Sequence, residues 1–355
     1  MSNTRVDKLR QKMQQMSVDA FLVTAPFNIY YLSGFTGDDG LLLVTENDKY
    51  LITDARFSEQ VAHQNPDWQA VITRNYLQSA CELAKQKNIS AMAFENTISY
   101  AQYDLLDELA QCDIVPLAGI LEEIRAIKDE QEIEIIKKSC ELAGQGYRYV
   151  LDMIAAGQTE MYVANELDHF MKLHGAQDKS FETILASGEH TTWPHGTASS
   201  KIIETGDLVT LDFGYYLDHY TSDVTRTFSV GKQSDEVKKI YDTVLTAQIK
   251  TIEAIKPGIT SKELDDIGRD YIKAQGYGQY FEHGMGHGIG LDIHELPNIS
   301  YRSQEVLQPG QIITIEPGIY VPGVGGVRIE DDILVTKDGY ENLTQFTKEY
   351  LEILN

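Results

Sequence analysis

From Asp129 onward, apolar residues recur at Ile133, Ile136, Cys140, Ala143, Tyr147, Val150 and Ile154. Steps of three and four residues mark one face of an amphipathic helix. Gly157 reads as its stop, and Thr159 as the cap of a second helix that ends near Gly175. Two more helices follow, one over about 235–255 halted by Pro257-Gly258, the other opened by the capping-box pair Thr260 and Glu263. Upstream the pattern is different. After a short helix over 4–16 come the apolar runs Ala20–Ala25, Leu41–Thr45, Lys49–Thr53, Ala70–Thr73 and Ala91–Glu95, several of them separated by helix-like stretches near 55–63, 76–87 and 99–110. Strands alternating with helices predict an α/β domain. No glycine-rich phosphate loop follows any of these runs, which argues against a nucleotide site there. The change of character near residues 120–128 divides the 355-residue chain into two domains, 1–122 and 123–355.

The strands of the second half carry charge where apolar residues are expected. Gly206–Gly214 reads as a strand with Asp212 inside an apolar run, and Tyr220–Phe228 as its hairpin partner containing Asp223. A turn centred on Leu217-Asp218 would place the two carboxylates opposite each other, a destabilising arrangement unless something positive lies between them. The pattern recurs near the C-terminus. The run Gln311–Gly318 ends in Glu316, and Val327–Val335 returns with Glu330. Between the two hairpins in sequence lies a loop dense in histidine and glycine, with His283, His287 and His294 drawn from nine histidines in all.

Composition limits the partners. Thirty Lys and Arg face 54 Asp and Glu, a net charge of -24. Such a surface repels nucleic-acid phosphates and anionic lipid, so neither is an expected partner. Cys81, Cys112 and Cys140 are too few and too scattered for a disulfide framework and fit reduced thiols in the cytoplasm. Neither a signal-peptide core nor an apolar run of about 18 residues occurs.

Taken singly, Asp212 and Asp223 read as turn or surface acids, His287 as a structural histidine, and Arg328 with Glu330 as a surface ion pair. His195 alone reads equally as functional or structural. Four carboxylates and an imidazole together suit two divalent ions sharing one site. Oxygen-rich ligation favours a hard ion such as Mn²⁺, with Co²⁺ or Zn²⁺ as alternatives. Two such ions acidify a water between them, so hydrolysis is the simplest chemistry.

The pieces GDLVTLDFG, YTSDVTRTF, HGMGHGIGLDIHE, TIEPGIY and GGVRIEDDILVT resemble the Xaa-Pro peptidases, the metallopeptidases of the aminopeptidase P and prolidase type. The resemblance runs from about Arg125 to the end, and FNIYYLSGF at 27–35 resembles the family's N-terminal domain. It implies an α/β N-terminal domain followed by an α+β pita-bread catalytic domain with a curved, mostly antiparallel sheet. It implies that Asp212, Asp223, His287, Glu316 and Glu330 are metal ligands, with Asp223 and Glu330 bridging two ions, and that Glu316 also takes a proton from the attacking water. His195 would hydrogen-bond substrate near the scissile amide, His294 would stabilise the tetrahedral stage, and His283, Tyr320 and Arg328 would line the substrate site. A homodimer acting on small peptides with proline in second place is also implied. Methionine aminopeptidases share the catalytic fold but lack an N-terminal domain of this kind. Creatinase-like enzymes do not need the five ligands, and non-catalytic relatives lose them. Some prolidases carry an arginine after the proline of this segment, where it binds a dipeptide's carboxylate; here His294-Glu295-Leu296-Pro297 is followed by Asn298. That departure favours an aminopeptidase P-like enzyme, cleaving Xaa-Pro-Xaa peptides at least as well as dipeptides, over the alternative of an Xaa-Pro dipeptidase. Arg302 is a replacement clamp that would reverse the preference.

Overall fold

The apolar runs of the first 120 residues become strands because each is short, rich in Leu, Val and Ile, and bounded by polar turns. In the computed structural model, which describes residues 2–353, the chain divides into two units, Met1–Arg125 and Ala126–Asn355. In chain order the first unit contains α1 (Ser2–Met16), β1 (Ala20–Val23), α2 (Pro26–Ser33), β2 (Leu41–Thr45), β3 (Lys49–Thr53), α3 (Ser58–Gln64), β4 (Gln69–Ile72), α4 (Tyr76–Gln86), β5 (Ala91–Glu95), α5 (Tyr100–Leu109) and β6 (Asp113–Leu117). Helix α6 (Ile120–Ala126) leads out of it. The sheet runs β4-β3-β2-β1-β5-β6 and is mixed, with β1 antiparallel to β2 and parallel to β5. Central β1 and β2 are buried along their whole length, as continuous apolar strands covered on both faces must be, whereas edge strand β4 is largely exposed. The polar-looking stretch after Ala25 forms α2, which the apolar pattern did not predict. Pro26 starts it, and Gly34 ends it in a left-handed conformation.

The second unit opens with two helices, α7 (Glu130–Met153) and α8 (Glu160–Leu173). Asp129 and Glu132 cap α7 reciprocally. Of its apolar stripe, Ile136, Cys140, Ala143, Tyr147 and Val150 are buried, and Ile133 partly so. The strands β7 (Asp178–Lys179), β8 (Ile184–Ser187), β9 (Asp207–Phe213), β10 (Tyr215–Leu217), β11 (Tyr220–Thr221) and β12 (Val224–Val230) precede α9 (Asp235–Glu253) and α10 (Ser261–Ala274). After these come β13 (Gly286–Gly288), β14 (Glu295–Ile299), β15 (Ile312–Ile315), β16 (Gly318–Val321), β17 (Gly325–Arg328), β18 (Asp331–Val335), β19 (Tyr340–Asn342) and β20 (Glu352–Ile353). Two main sheets result, β20-β12-β9-β8 and β14-β13-β15-β18-β19, antiparallel throughout except for the β12–β20 pair. One helix pair covers each sheet. Tyr147, Val163 and Leu167 pack against Leu211 and Phe228 in one core, while Ile240, Val244, Leu264 and Ile272 pack with Ile313 and Ile333 in the other. Each fully buried Leu, Ile or Phe stabilises the fold by about 1.5–3 kcal/mol.

The first hairpin turns one residue later than its sequence suggests. Asp218 and His219 both have positive φ, 45° and 72°, the conformation that a two-residue hairpin turn requires. Asp212 therefore pairs with Thr225, not Asp223. A slip of two residues keeps the same face, so the two carboxylates lie diagonally instead of directly opposed, and their repulsion is eased.

Candidate metal centre

Strand alternation selects which side chains meet. On β12 and just before it, Asp223, Thr225 and Thr227 share one face, while Arg226 points to the other and binds Asp331 at 2.8 Å. Around β18 the same period separates Glu330 and Asp332 from Asp331. Glu316 lies just past β15, where the last pair is Ile315 with Asp331, so Glu316 and Glu330 are brought together at the end of that ladder. Pro317 then turns the chain into the β16–β17 hairpin, which carries Tyr320 and Arg328.

The histidine loop can reach these carboxylates because its glycines let backbone touch backbone. A Cβ on Gly286 would stand 2.0 Å from the Thr314 carbonyl oxygen, and one on Gly288 would stand 2.2 Å from that of Leu296. Threaded through this gap, His287 places Nε2 3.3 Å from Glu316 Oε1 and 3.6 Å from Asp223 Oδ2. Its Nδ1 faces the Gly288 carbonyl oxygen at 3.1 Å, so the proton sits on Nδ1 and Nε2 keeps its lone pair. Ligand atoms of Asp223, His287 and Glu330 all lie within 4.8 Å of one another.

Hydroxyls orient the acids. Thr225 donates to Glu330 Oε2 at 2.7 Å and accepts from Arg328 Nε at 3.1 Å. Thr314 donates to Glu316 Oε1 at 3.2 Å and accepts from the His287 N–H at 3.1 Å. Asp332 Oδ2 accepts the Asp223 N–H at 2.9 Å and lies 3.2 Å from Cys140 Sγ. Arg328 is the positive charge that the first hairpin called for. Its Nη2 binds Asp212 Oδ2 at 2.5 Å, and its Nη1 donates at 2.7 Å to the Tyr320 hydroxyl. That hydroxyl lies 3.0 Å from His283 Nε2, while His283 Nδ1 faces the Gly284 carbonyl oxygen at 2.8 Å. Burial, with Arg328 nearby, holds the His283 pKa down at about 3, so its ring is neutral.

One guanidinium cannot balance four buried acids. Burial, compounded by Glu330 and Asp212, pushes Asp223 well above the carboxylate range; burial, compounded by Glu316 and Asp212, does the same to Glu330. Burial raises Glu316 to about 7 despite the opposing charge of Arg328. Asp212 Oδ1 is buried without a hydrogen-bond partner among the described residues. Unpaired buried carboxylate oxygens beside an imidazole with a free lone pair are the donor set a divalent cation requires.

All of these groups line one cavity of about 780 Å³ except Tyr320, which stands behind Arg328 and His283. His195 and His294 are exposed at its wall, and His294 packs edge-on against His287 with ring centroids 4.6 Å apart. Phe181, Ile184 and Ile293 form an apolar wall that no sequence motif announced. Thr225, Thr314 and Asp332 were also not singled out, although their period-two spacing from Asp223, Glu316 and Glu330 was a usable signal.

Residues 134–337 match the model of metallopeptidase family M24, and residues 5–127 match that of the creatinase/prolidase N-terminal domain. The chain belongs to metallopeptidase family M24. This M24 chain is 39% identical to an Xaa-Pro dipeptidase of Pyrococcus furiosus, over 98% of its own length and 99% of the relative. A solved Xaa-Pro dipeptidase from Bacillus anthracis superposes with a TM-score of 0.97 at 42% identity, covering 99% of both chains. A solved X-Pro aminopeptidase from Thermotoga maritima superposes with a TM-score of 0.89 at 34% identity, covering 96% of this chain and 99% of the other. Among the described residues no helix is long and apolar enough to cross a membrane.

Proposed function

We propose that this M24 enzyme is an Xaa-Pro dipeptidase. The names of the relatives favour this alternative over the aminopeptidase reading drawn from Asn298. The observation on the chain itself that carries it is Arg302, which lines the same cavity as the proposed ligands and pairs with no carboxylate among the described residues. Its guanidinium lies over the Tyr301 ring, 5.0 Å from the centroid. In a strongly acidic cavity, an uncommitted arginine is the group that a dipeptide's C-terminal carboxylate would seek, in place of the missing charge at Asn298.

Asp212, Asp223, His287, Glu316 and Glu330 would hold two divalent ions, and their oxygen-rich character favours Mn²⁺. When bound, such ions supply an acidified water and draw electrons from the scissile carbonyl. Glu316, oriented by Thr314, takes the water's proton; a carboxyl near neutrality is suited to that exchange. His195 bonds the substrate beside the scissile amide, and His294 steadies the developing oxyanion. Neutral His283, Tyr320 and Arg328 form a hydrogen-bonded wall that orients the substrate. The three free thiols suit a reducing cytoplasm, and a homodimer remains the assembly to look for.

Replacing His195 or His294 with alanine is expected to lower kcat about 10²-fold, the scale of lost acid–base or oxyanion assistance. Metal content by elemental analysis should stay at the wild-type value, and a metal equivalent lost with His294→Ala would reassign it as a ligand. Steady-state kinetics on Ala-Pro and Ala-Pro-Ala test the dipeptide reading. The wild type is expected to favour Ala-Pro, and Arg302→Ala to lower kcat/KM for Ala-Pro about 10- to 10²-fold, the worth of a hydrogen bond to a charged group, while leaving Ala-Pro-Ala less affected. A wild type that cleaves Ala-Pro-Ala as well or better would restore the aminopeptidase reading.

A further inference from the structure

The loop between β8 and β9 carries His195 to the cavity, and one buried carboxylate far from the metal centre grips both ends of that loop. Glu160, the first residue of α8, is fully buried. Its Oε1 accepts the N–H and hydroxyl of Ser187 at 2.7 and 2.8 Å, where the loop leaves β8. Its Oε2 accepts those of Ser199 at 3.1 and 2.6 Å, where the loop returns. His190, inside the loop, sets Nδ1 3.1 and 3.0 Å from the two oxygens. The main chain doubles the grip, with the N–H groups of Glu160 and Met161 donating to Lys201 O at 3.0 Å and Ser199 O at 2.9 Å. Burial alone would raise the Glu160 carboxyl, but the bonds from Ser199, Ser187 and His190 outweigh it and hold the pKa below its ordinary value. A buried carboxylate with this many donors is satisfied, so it can serve as a rigid anchor.

From His190 the contacts lead to the proposed substrate contact. Its ring meets Trp193 edge-on, with centroids 4.5 Å apart. Its Nε2 lies 3.2 Å from where a Cβ on Gly196 would stand, and the Gly196 N–H closes the turn onto Trp193 O at 2.9 Å. His190 thus supports from beneath the turn 193–196 that contains His195. The His195 side chain makes no hydrogen bond among the described residues, so the loop backbone alone sets its place.

We propose that Glu160 is a positioning residue for the reaction, acting through His190 and the clamped 187–199 loop to hold His195 against the substrate. The proposal rests on the reading of His195 as a substrate contact. It is tested by a double-mutant cycle on Ala-Pro with Glu160→Gln, His195→Ala and the pair. Glu160→Gln keeps the shape but cannot accept from all of these donors. Alone, it is expected to lower kcat/KM about 10²-fold, the cost of a misplacement near 1 Å. In the His195→Ala background it is expected to change kcat/KM by no more than about twofold, because the two residues act as one unit. A purely structural role gives equal losses in both backgrounds and overturns the proposal, as does a fully active Glu160→Gln. If His195→Ala alone is fully active, the reading of His195 falls and the proposal with it, a result read on that single variant. Should Glu160→Gln fail to fold by circular dichroism, His190→Ala carries the same cycle with a smaller loss, since both serine clamps remain.

Discussion

Glu330→Ala is expected to lower kcat/KM at least about 10³-fold with saturating Mn²⁺, and to remove at least one metal equivalent per chain by elemental analysis. Glu330 is buried, oriented by Thr225, and grouped within 4.8 Å with Asp223 and His287. Losing such a group from a shared site forfeits several kcal/mol of electrostatic stabilisation of the transition state. The fold should survive. In ion-free protein Glu330 is an acid held in a site that disfavours its charge, so its removal relieves repulsion with Glu316 and Asp212. The melting temperature of ion-free Glu330→Ala should therefore equal or exceed that of ion-free wild type. Near wild-type turnover by this variant would refute its place in the centre, and Asp223→Ala is expected to behave in the same way.

Chelator-treated protein is expected to lose stability as pH rises from about 4.5 to about 7, and divalent ions are expected to reverse the trend. The sign follows from Glu316, whose pKa rises from an ordinary 4.5 to about 7 in the folded chain. Between those values the folded state keeps a proton that the unfolded chain has released. Stability is then full below the unfolded pKa and declines as pH climbs through the folded one. Asp223 and Glu330, shifted in the same direction, extend the decline above neutrality. Metal binding needs the ionised carboxylates, so added Mn²⁺ should stabilise more strongly at pH 7 than at pH 5. Thermal melts at several pH values, with and without Mn²⁺, measure both slopes. A drop of several degrees is expected in the ion-free series, since each kcal/mol moves the Tm of a domain this large by about 2–4 °C. An ion-free protein that grows more stable over that range would mean the four acids already have adequate partners.

The two readings of substrate length show where a single position misleads. Asn298 lacks the charge that a dipeptide clamp needs, and from sequence this favoured longer substrates. The fold brings Arg302 to the same cavity, four residues farther along the chain. A function tied to a charge in space can move along the sequence without being lost.

Period and punctuation made much of the fold legible. The three- and four-residue steps from Ile133 to Ile154 marked α7, Thr159 and Thr260 marked the starts of α8 and α10, and the apolar runs marked β1 to β5. These are local effects, set by backbone geometry and by which side chains can reach neighbouring amides. Asp212, Asp223, His287, Glu316, Glu330 and His195 could likewise be singled out, because a charged residue in an apolar strand or a histidine among glycines violates the local pattern. Tertiary structure decided the rest. It turned the first hairpin at Asp218-His219, assigned Arg328 to Asp212 instead of Glu330, and packed Gly286 and Gly288 against strands far away in sequence. It also buried Glu160 at the root of the His195 loop, where nothing in the local pattern distinguishes it from any glutamate opening a helix. Which partner a charge finds depends on distances closed by the whole fold, and those are carried by no one stretch of chain.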